Sequence, residues 1–181
     1  MANAGHMSMN TWKMLAAMVG VLVVAMFAGG CASGPSYGKH EIEVCLSSEL
    51  KGKAVEVDLI PVKNDADQAD WQAQNVTNYF STTDKKRSET DGRMELKFSS
   101  GDSACKTVTA GDPMWENKWK GARSIVVLAN IPLAESWGGR PDDRRRKVVT
   151  LLRGTWENDK VRVEVGQSGV NITTPQKEPK S

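Results

Sequence analysis

Histidine is scarce in this chain of 181 residues: there are two, and His6 precedes an apolar run, which leaves His40 alone downstream. One imidazole cannot assemble a histidine metal centre, and it is a thin basis for acid–base chemistry. An excess of charge of one sign is lacking too. The formal net charge is +2, from 24 Lys+Arg and 22 Asp+Glu, so nothing resembles the basic footprint of a nucleic-acid-binding protein. No apolar stretch reaches the roughly 20 residues that a membrane-crossing helix needs. Cysteine is limited to three positions, 31, 45 and 105. No internal repeat is present.

What is present begins with Met14–Ala28, an uncharged apolar run of about fifteen residues after the single basic Lys13. That length and flank read as the h-region of a secretory signal peptide, and a start at Met9 makes the cleaner basic n-region. The run closes on Ala28-Gly29-Gly30-Cys31, which resembles the lipobox of bacterial lipoproteins. The resemblance implies that Cys31 is lipidated and becomes the new N-terminus. Residues 1–30 are then the signal peptide, and 151 residues remain, enough for one domain with a proper core. Residues 31–40 read as the lipidated cysteine and a flexible Gly- and Pro-containing tether, with His40 solvated at its end. Export places the chain in an oxidising compartment, where Cys45 and Cys105 are expected to form a disulfide; two buried free thiols are the alternative.

From 41 to 173 the pattern is that of strands. Ile42, Val44 and Leu46 alternate with Glu41, Glu43 and Cys45. After the loop Ser47–Lys53, a second strand runs over Ala54–Val62, with Val55, Val57 and Leu59 in phase. Ile60-Pro61-Val62 then breaks that phase, and Pro61 suggests an edge or a bulge. Asn64–Phe80 changes period and predicts one short amphipathic helix, capped by Asn64 and resting on a face of the sheet. Ser81–Arg93 reads as a loop, and Met94–Phe98 as a strand. A short strand at Lys106–Thr109 and one or two helical turns at Met114–Lys120 follow. Ser124–Ile131 is the most continuously apolar run and predicts a central strand covered on both faces. Strands at Val148–Arg153 and Lys160–Val165, a short one at Gly169–Thr173, and a disordered tail over 174–181 complete the pattern. About seven strands with one inserted short helix predict an all-β protein, a β-sandwich of transthyretin or immunoglobulin type.

Catalytic patterns do not assemble. Asp142-Asp143 stand among arginines in what reads as a solvated loop. Asp65–Asp70 lacks the glycine and the terminal glutamate of a calcium loop. Ser-x-x-Lys occurs three times without its companion motifs. The expectation is no enzyme, no metal and no cofactor. Two features suit binding instead. Arg140–Lys147 is rich in basic residues and reads as a hydrophilic loop, and Trp137 beside Gly138-Gly139 is the tryptophan expected to be exposed. Trp71, Trp115, Trp119 and Trp156 are expected mainly in the core.

The segments EIEVCLSSELKGKAVEVDLIPV, the helix through Asn78-Tyr79-Phe80, and ARSIVVLANI with the arginine-rich loop after it resemble the transthyretin-like outer-membrane lipoprotein of bacterial type VI secretion systems. The resemblance implies a lipid-anchored assembly factor at the periplasmic face of the outer membrane. Its partner would be a periplasmic protein region, an inner-membrane component of the secretion system, and nucleic acid has no part. It implies partner binding through the first inter-strand loop, here Ser47, Ser48, Glu49, Leu50 and Lys51, to which the composition adds Trp137 and Arg140. Ala32 after the lipidated cysteine fits sorting to the outer membrane. A cell-wall or glycan-binding envelope lipoprotein is the alternative. Cys31→Ser is expected to release the protein into the periplasm and to abolish labelling by a palmitate analogue; tight membrane association of the unlabelled variant would overturn the lipobox.

Overall fold

A computed structural model describes residues 34–132 and 142–177. Cys31, Trp137 and Arg140 lie outside the described residues. Pro35–Ser181 is a compact unit in itself and holds every strand named below. Eight strands are found among the described residues: β1 Glu41–Leu46, β2 Val55–Val62, β3 Met94–Phe98, β4 Cys105–Val108, β5 Ser124–Asn130, β6 Arg146–Thr150, β7 Lys160–Gly166 and β8 Gly169–Ile172. They form two four-stranded sheets, β4-β1-β7-β8 and β3-β2-β5-β6. The protein is a β-sandwich. All pairings are antiparallel except β1 with β7, where Ile42 stands beside Val161 and Val44 beside Val163.

Period-two alternation builds the space between the sheets. Ile42, Val44, Val161, Val163 and Val165 face Val57, Leu59, Ile125, Val127 and Ala129, all of them buried. The second sheet is apolar on its other face as well. There Ile60, Val62, Val126 and Leu128 pack against Trp71, Val76 and Tyr79. Ile60 and Val62 therefore continue the strand and belong to this second face; they are not the phase break expected from the sequence. Pro61 pairs with Ile125 on one side, beyond the last β2–β3 pair at Leu59 and Met94, so its missing N–H deprives no partner in β3.

The cover on that face is three short helices, not one: α1 Asp65–Ala73, α2 Val76–Tyr79 and α3 Lys85–Glu89, the last inside the expected loop. Asn64 caps α1 by accepting from the Asp67 N–H at 2.9 Å. Asn75 stops the run, because its side chain accepts from Asn78 N–H at 3.0 Å and starts a new helix instead of extending the old one. At the end of α1, Arg146 Nη1 donates to the carbonyls of Trp71 (3.2 Å), which also accepts from Gln74 N–H at 3.3 Å, and of Gln74 (2.7 Å). Burial, only partly offset by Asp143, lowers the Arg146 pKa.

Beneath these helices lies an ion cluster. Asp58, on β2 and fully buried, accepts from Tyr79 Oη at 2.9 Å, Arg87 Nε at 2.9 Å and Arg93 Nη1 at 3.1 Å. Arg87 also meets Glu56 (3.0 Å) and Glu95 (2.7 Å). Burial alone would lower the Arg87 pKa, but its hydrogen bond to Asp58 and the surrounding carboxylates raise it. Burial first, then the charge and hydrogen bond of Asp58, push the Tyr79 phenol well above its ordinary range.

Several expectations about the surface are corrected. His40 is buried: its Nε2 donates to the Leu151 carbonyl at 3.0 Å and its Nδ1 lies 3.7 Å from Asp159. The tether is shorter than expected, because Tyr37 bridges to Leu152 and Gly38 N–H donates to Leu151 at 2.9 Å. At the other terminus Gln176 bridges to Trp156 and Lys177 N–H donates to Thr155 at 2.8 Å, so 174–177 pair with the body. No helix among the described residues is long and apolar enough to cross a membrane.

Asp58→Ala is expected to lower unfolding free energy by about 1–3 kcal/mol in urea, since it removes the acceptor of the Tyr79 hydroxyl and one carboxylate from each of two arginines, while Glu56 and Glu95 remain beside Arg87. The raised Tyr79 pKa has a definite sign. The unfolded chain loses the phenolic proton above about pH 10 while the folded chain keeps it, so stability falls as pH rises beyond that point. Tyr79→Phe is expected to flatten this alkaline decline relative to wild type; an unchanged slope would remove Tyr79 as its source.

Candidate functional site

Strand direction gives the sandwich two distinct ends. The segment leading into β1 enters at one, beside Leu151–Arg153 and α4, Met114–Asn117. The loop after β1, the β3–β4 loop and the β7–β8 turn gather at the other. Leu46 N–H donates to Ala104 at 2.7 Å and Ser47 N–H to Val165 at 2.9 Å, which ties all three together. The candidate site is this far end, and it includes the loop named from the sequence.

Ser47–Lys53 is a built loop. The Ser47 carbonyl accepts from the N–H groups of Leu50 and Lys51, both at 3.0 Å, and Lys53 N–H returns to the Leu50 carbonyl at 3.0 Å. Gly52 sits at φ +80°, where a residue with a Cβ is strained. Leu50 is 3% exposed and belongs to the main core. It therefore pins the loop and is not a surface for a partner, contrary to the expectation. Ser47 Oγ is likewise buried, against Gly166. Of the five loop residues named, Ser48, Glu49 and Lys51 are exposed.

Sequence reasoning did not single out the neighbours of that loop. Ser99, Ser100, Asp102, Ser103, Gln167 and Ser168 are all exposed at this end. Asp102 accepts from Ser99 N–H and Oγ, each at 3.0 Å, and lies 3.4 Å from Lys106. The Ser99 hydrogen bonds, and then Lys106, hold its carboxyl below the usual carboxylate range. The available signal was the Ser-x-x-Asp spacing, which marks a self-bonded turn. The surface is made of hydroxyls, amides and charges of both signs, which suits recognition.

Cys45 and Cys105 form a disulfide on adjacent strands, with a sequence separation of 60. Leu46 and Ala104 make the neighbouring hydrogen bond, so the cysteines occupy a non-hydrogen-bonded pair, where opposed side chains come closest. A loop of that length corresponds to roughly 4 kcal/mol on the chain-entropy account. Glu43, Cys45 and Cys105 are the one grouping of metal-ligating types among the described residues. The bond consumes both thiols, and Arg162 lies 3.4 Å from Glu43, so the group does not suit a metal ion.

The basic run after β5 is not the solvated loop expected. Asp143 is buried and Arg145 grips it through Nε (3.0 Å) and Nη2 (2.7 Å), while the same Nη2 donates to Thr77 Oγ1 at 3.0 Å. Arg145 and Arg146 thus face inward, binding α1 and α2 to the sheet. Gly169, at φ +127°, is required beside this turn, because a Cβ there would stand 2.5 Å from the Arg144 carbonyl. Trp71, Trp115, Trp119 and Trp156 are buried, as expected.

No family model and no curated protein matches the chain. The likenesses are to solved structures. The chain is similar to the type VI secretion lipoprotein TssJ1 of Pseudomonas aeruginosa, at 15% identity and a TM-score of 0.47, over 81% of this chain and 100% of that one. It is similar to the C-terminal domain (869–1107) of the type VI secretion protein TssM from EAEC, at 12% identity and a TM-score of 0.48, over 74% and 98%. It is also similar to Serratia marcescens Lip, a membrane-bound component of the type VI secretion system, at 12% identity and a TM-score of 0.45, over 75% and 98%. These proteins come from the secretion system named by the sequence resemblance.

Leu50→Ala is expected to lower stability by about 2–5 kcal/mol in urea denaturation. Glu49→Ala and Lys51→Ala are expected to stay within roughly 0.5 kcal/mol of wild type. Equal effects from all three would contradict the division between core anchor and free surface.

Proposed function

We propose that the chain is a lipid-anchored envelope protein whose work is docking: attached through Cys31 to the periplasmic face of the outer membrane, it holds a periplasmic region of a secretion-system membrane component. The observation that carries this reading is the separation of its ends. The segment from Pro35 to His40 meets the sandwich at one end, and the Ser47–Lys53 loop stands at the other with Ser48, Glu49 and Lys51 exposed. A leash at one end leaves the far loops directed toward whatever approaches from the periplasm.

Further support comes from the lipobox-like Ala28-Gly29-Gly30-Cys31, from Ala32 after it, and from the sequence resemblance over 41–173. A polar loop surface held by one buried leucine presents hydrogen-bonding groups in a fixed arrangement, which reduces the ordering cost of binding. A glycan-binding reading would draw on exposed indoles, and the four described tryptophans of this domain are buried. The reading contains no chemical step.

The test is co-purification of the acylated protein with inner-membrane components of a type VI system from the same cell. Glu49→Lys combined with Lys51→Glu is expected to abolish capture while leaving the melting temperature within a degree or so, as surface substitutions do. Undiminished capture would remove the loop from the reading.

A further inference from the structure

At the end where the chain enters, a cleft of about 210 Å³ lies against the last residues before β1. Its floor is aromatic. Trp115 and Trp119 pack edge to face, with ring centroids 4.8 Å apart, and both are buried. Around it stand three cations, Lys39, Lys120 and Arg153, and one carboxylate, Glu116, which Lys39 already bonds. The lining is therefore cationic by two charges. Among the described residues no carboxylate makes an ion pair with Lys120 or Arg153.

The site is built from the incoming segment itself. Arg153 N–H donates to the Ser36 carbonyl at 2.9 Å, and its Nε to the Tyr37 carbonyl at 3.4 Å. Gly38 makes room for that side chain, since a Cβ there would stand 2.9 Å from Arg153 Nε. Tyr37 follows Cys31 by six residues, which span at most about 20 Å when fully extended. A lipid on Cys31 confines the cleft to that distance from the surface of the leaflet holding it.

We propose that this cleft docks the phosphate headgroups of anionic phospholipids in that leaflet, so that the domain is held at two points and not by a leash alone. The proposal rests on the lipid-anchor reading. Three cations against one carboxylate, on an aromatic base and within reach of the membrane, match a phosphodiester in charge and in amphipathic character. Each such cation contributes about fivefold in affinity for an anionic surface. Two-point attachment would also orient the molecule, holding the Ser47–Lys53 end away from the bilayer.

The test uses the compact unit from Pro35 onward, which carries both cores and no Cys31, in co-sedimentation with vesicles. Binding is expected to phosphatidylcholine vesicles that contain phosphatidylglycerol and not to phosphatidylcholine alone. Lys120→Ala and Arg153→Ala should each weaken it about fivefold, whereas Lys51→Ala and Lys53→Ala, at the opposite end, should leave it unchanged. Equal binding to both vesicle types, no binding to either, or equal losses from variants at both ends would overturn the proposal. The fragment has no lipidation site, so failure here is distinct from failure of the anchor, which palmitate labelling of Cys31 in the full chain tests separately.

Discussion

The β3-β2-β5-β6 sheet is apolar on both faces, and that constraint governs the rest of the structure. One face is covered by the other sheet. The second carries Ile60, Val62, Val126 and Leu128 and needs a separate cover, which the excursion between β2 and β3 supplies through Trp71, Val76 and Tyr79. Three short helices have little stability of their own. They stay in place because they are fastened at two points, by Asp58 with its two arginines on one side and by Arg145 and Arg146 on the other. Charges that would be unfavourable if buried singly are here paired and hydrogen-bonded, and their removal is felt mainly through the partner left behind.

This fastening occupies much of the charge that the sequence displays. Arg145, Arg146, Arg87 and Arg93 read as surface residues by type, yet their hydrogen bonds go to Asp143, Asp58 and the carbonyls of α1. A binding role inferred from counting basic residues in Arg140–Lys147 therefore counts two whose side chains are already engaged in the fold. Among the described residues, the turns at the Ser47–Lys53 end expose short polar side chains that this fastening does not use.

Strands were the legible part. The alternation over Glu41–Leu46, Met94–Phe98 and Lys160–Gly166 specifies both element and face, and the unbroken Ser124–Asn130 run indicates burial on two sides. What eluded the sequence was any feature set by residues distant in the chain. Nothing local shows that His40 will meet Leu151, or that Asp58 will be buried beneath Tyr79 and Arg87. The helix from Asn64 was expected to continue through Asn75, and only the arrangement of Arg146 and the capping side chain explains why it stops there. Leu50 is the instructive case at the candidate site. Its hydrophobic type was visible, but loop membership suggested exposure, while the apolar side chain itself argued for burial and prevailed.

A leucine pinned in the core also bears on how the far loop could act. Ser48, Glu49 and Lys51 surround a buried anchor, and the backbone between them is closed by three internal hydrogen bonds and a glycine turn. Such a loop has little freedom to lose when a partner meets it, so a small contact area there can be selective without a large entropic cost. The disulfide adds to this, because Cys45 lies two residues before Ser47 and holds β1 to the edge strand whose preceding turn flanks the same surface.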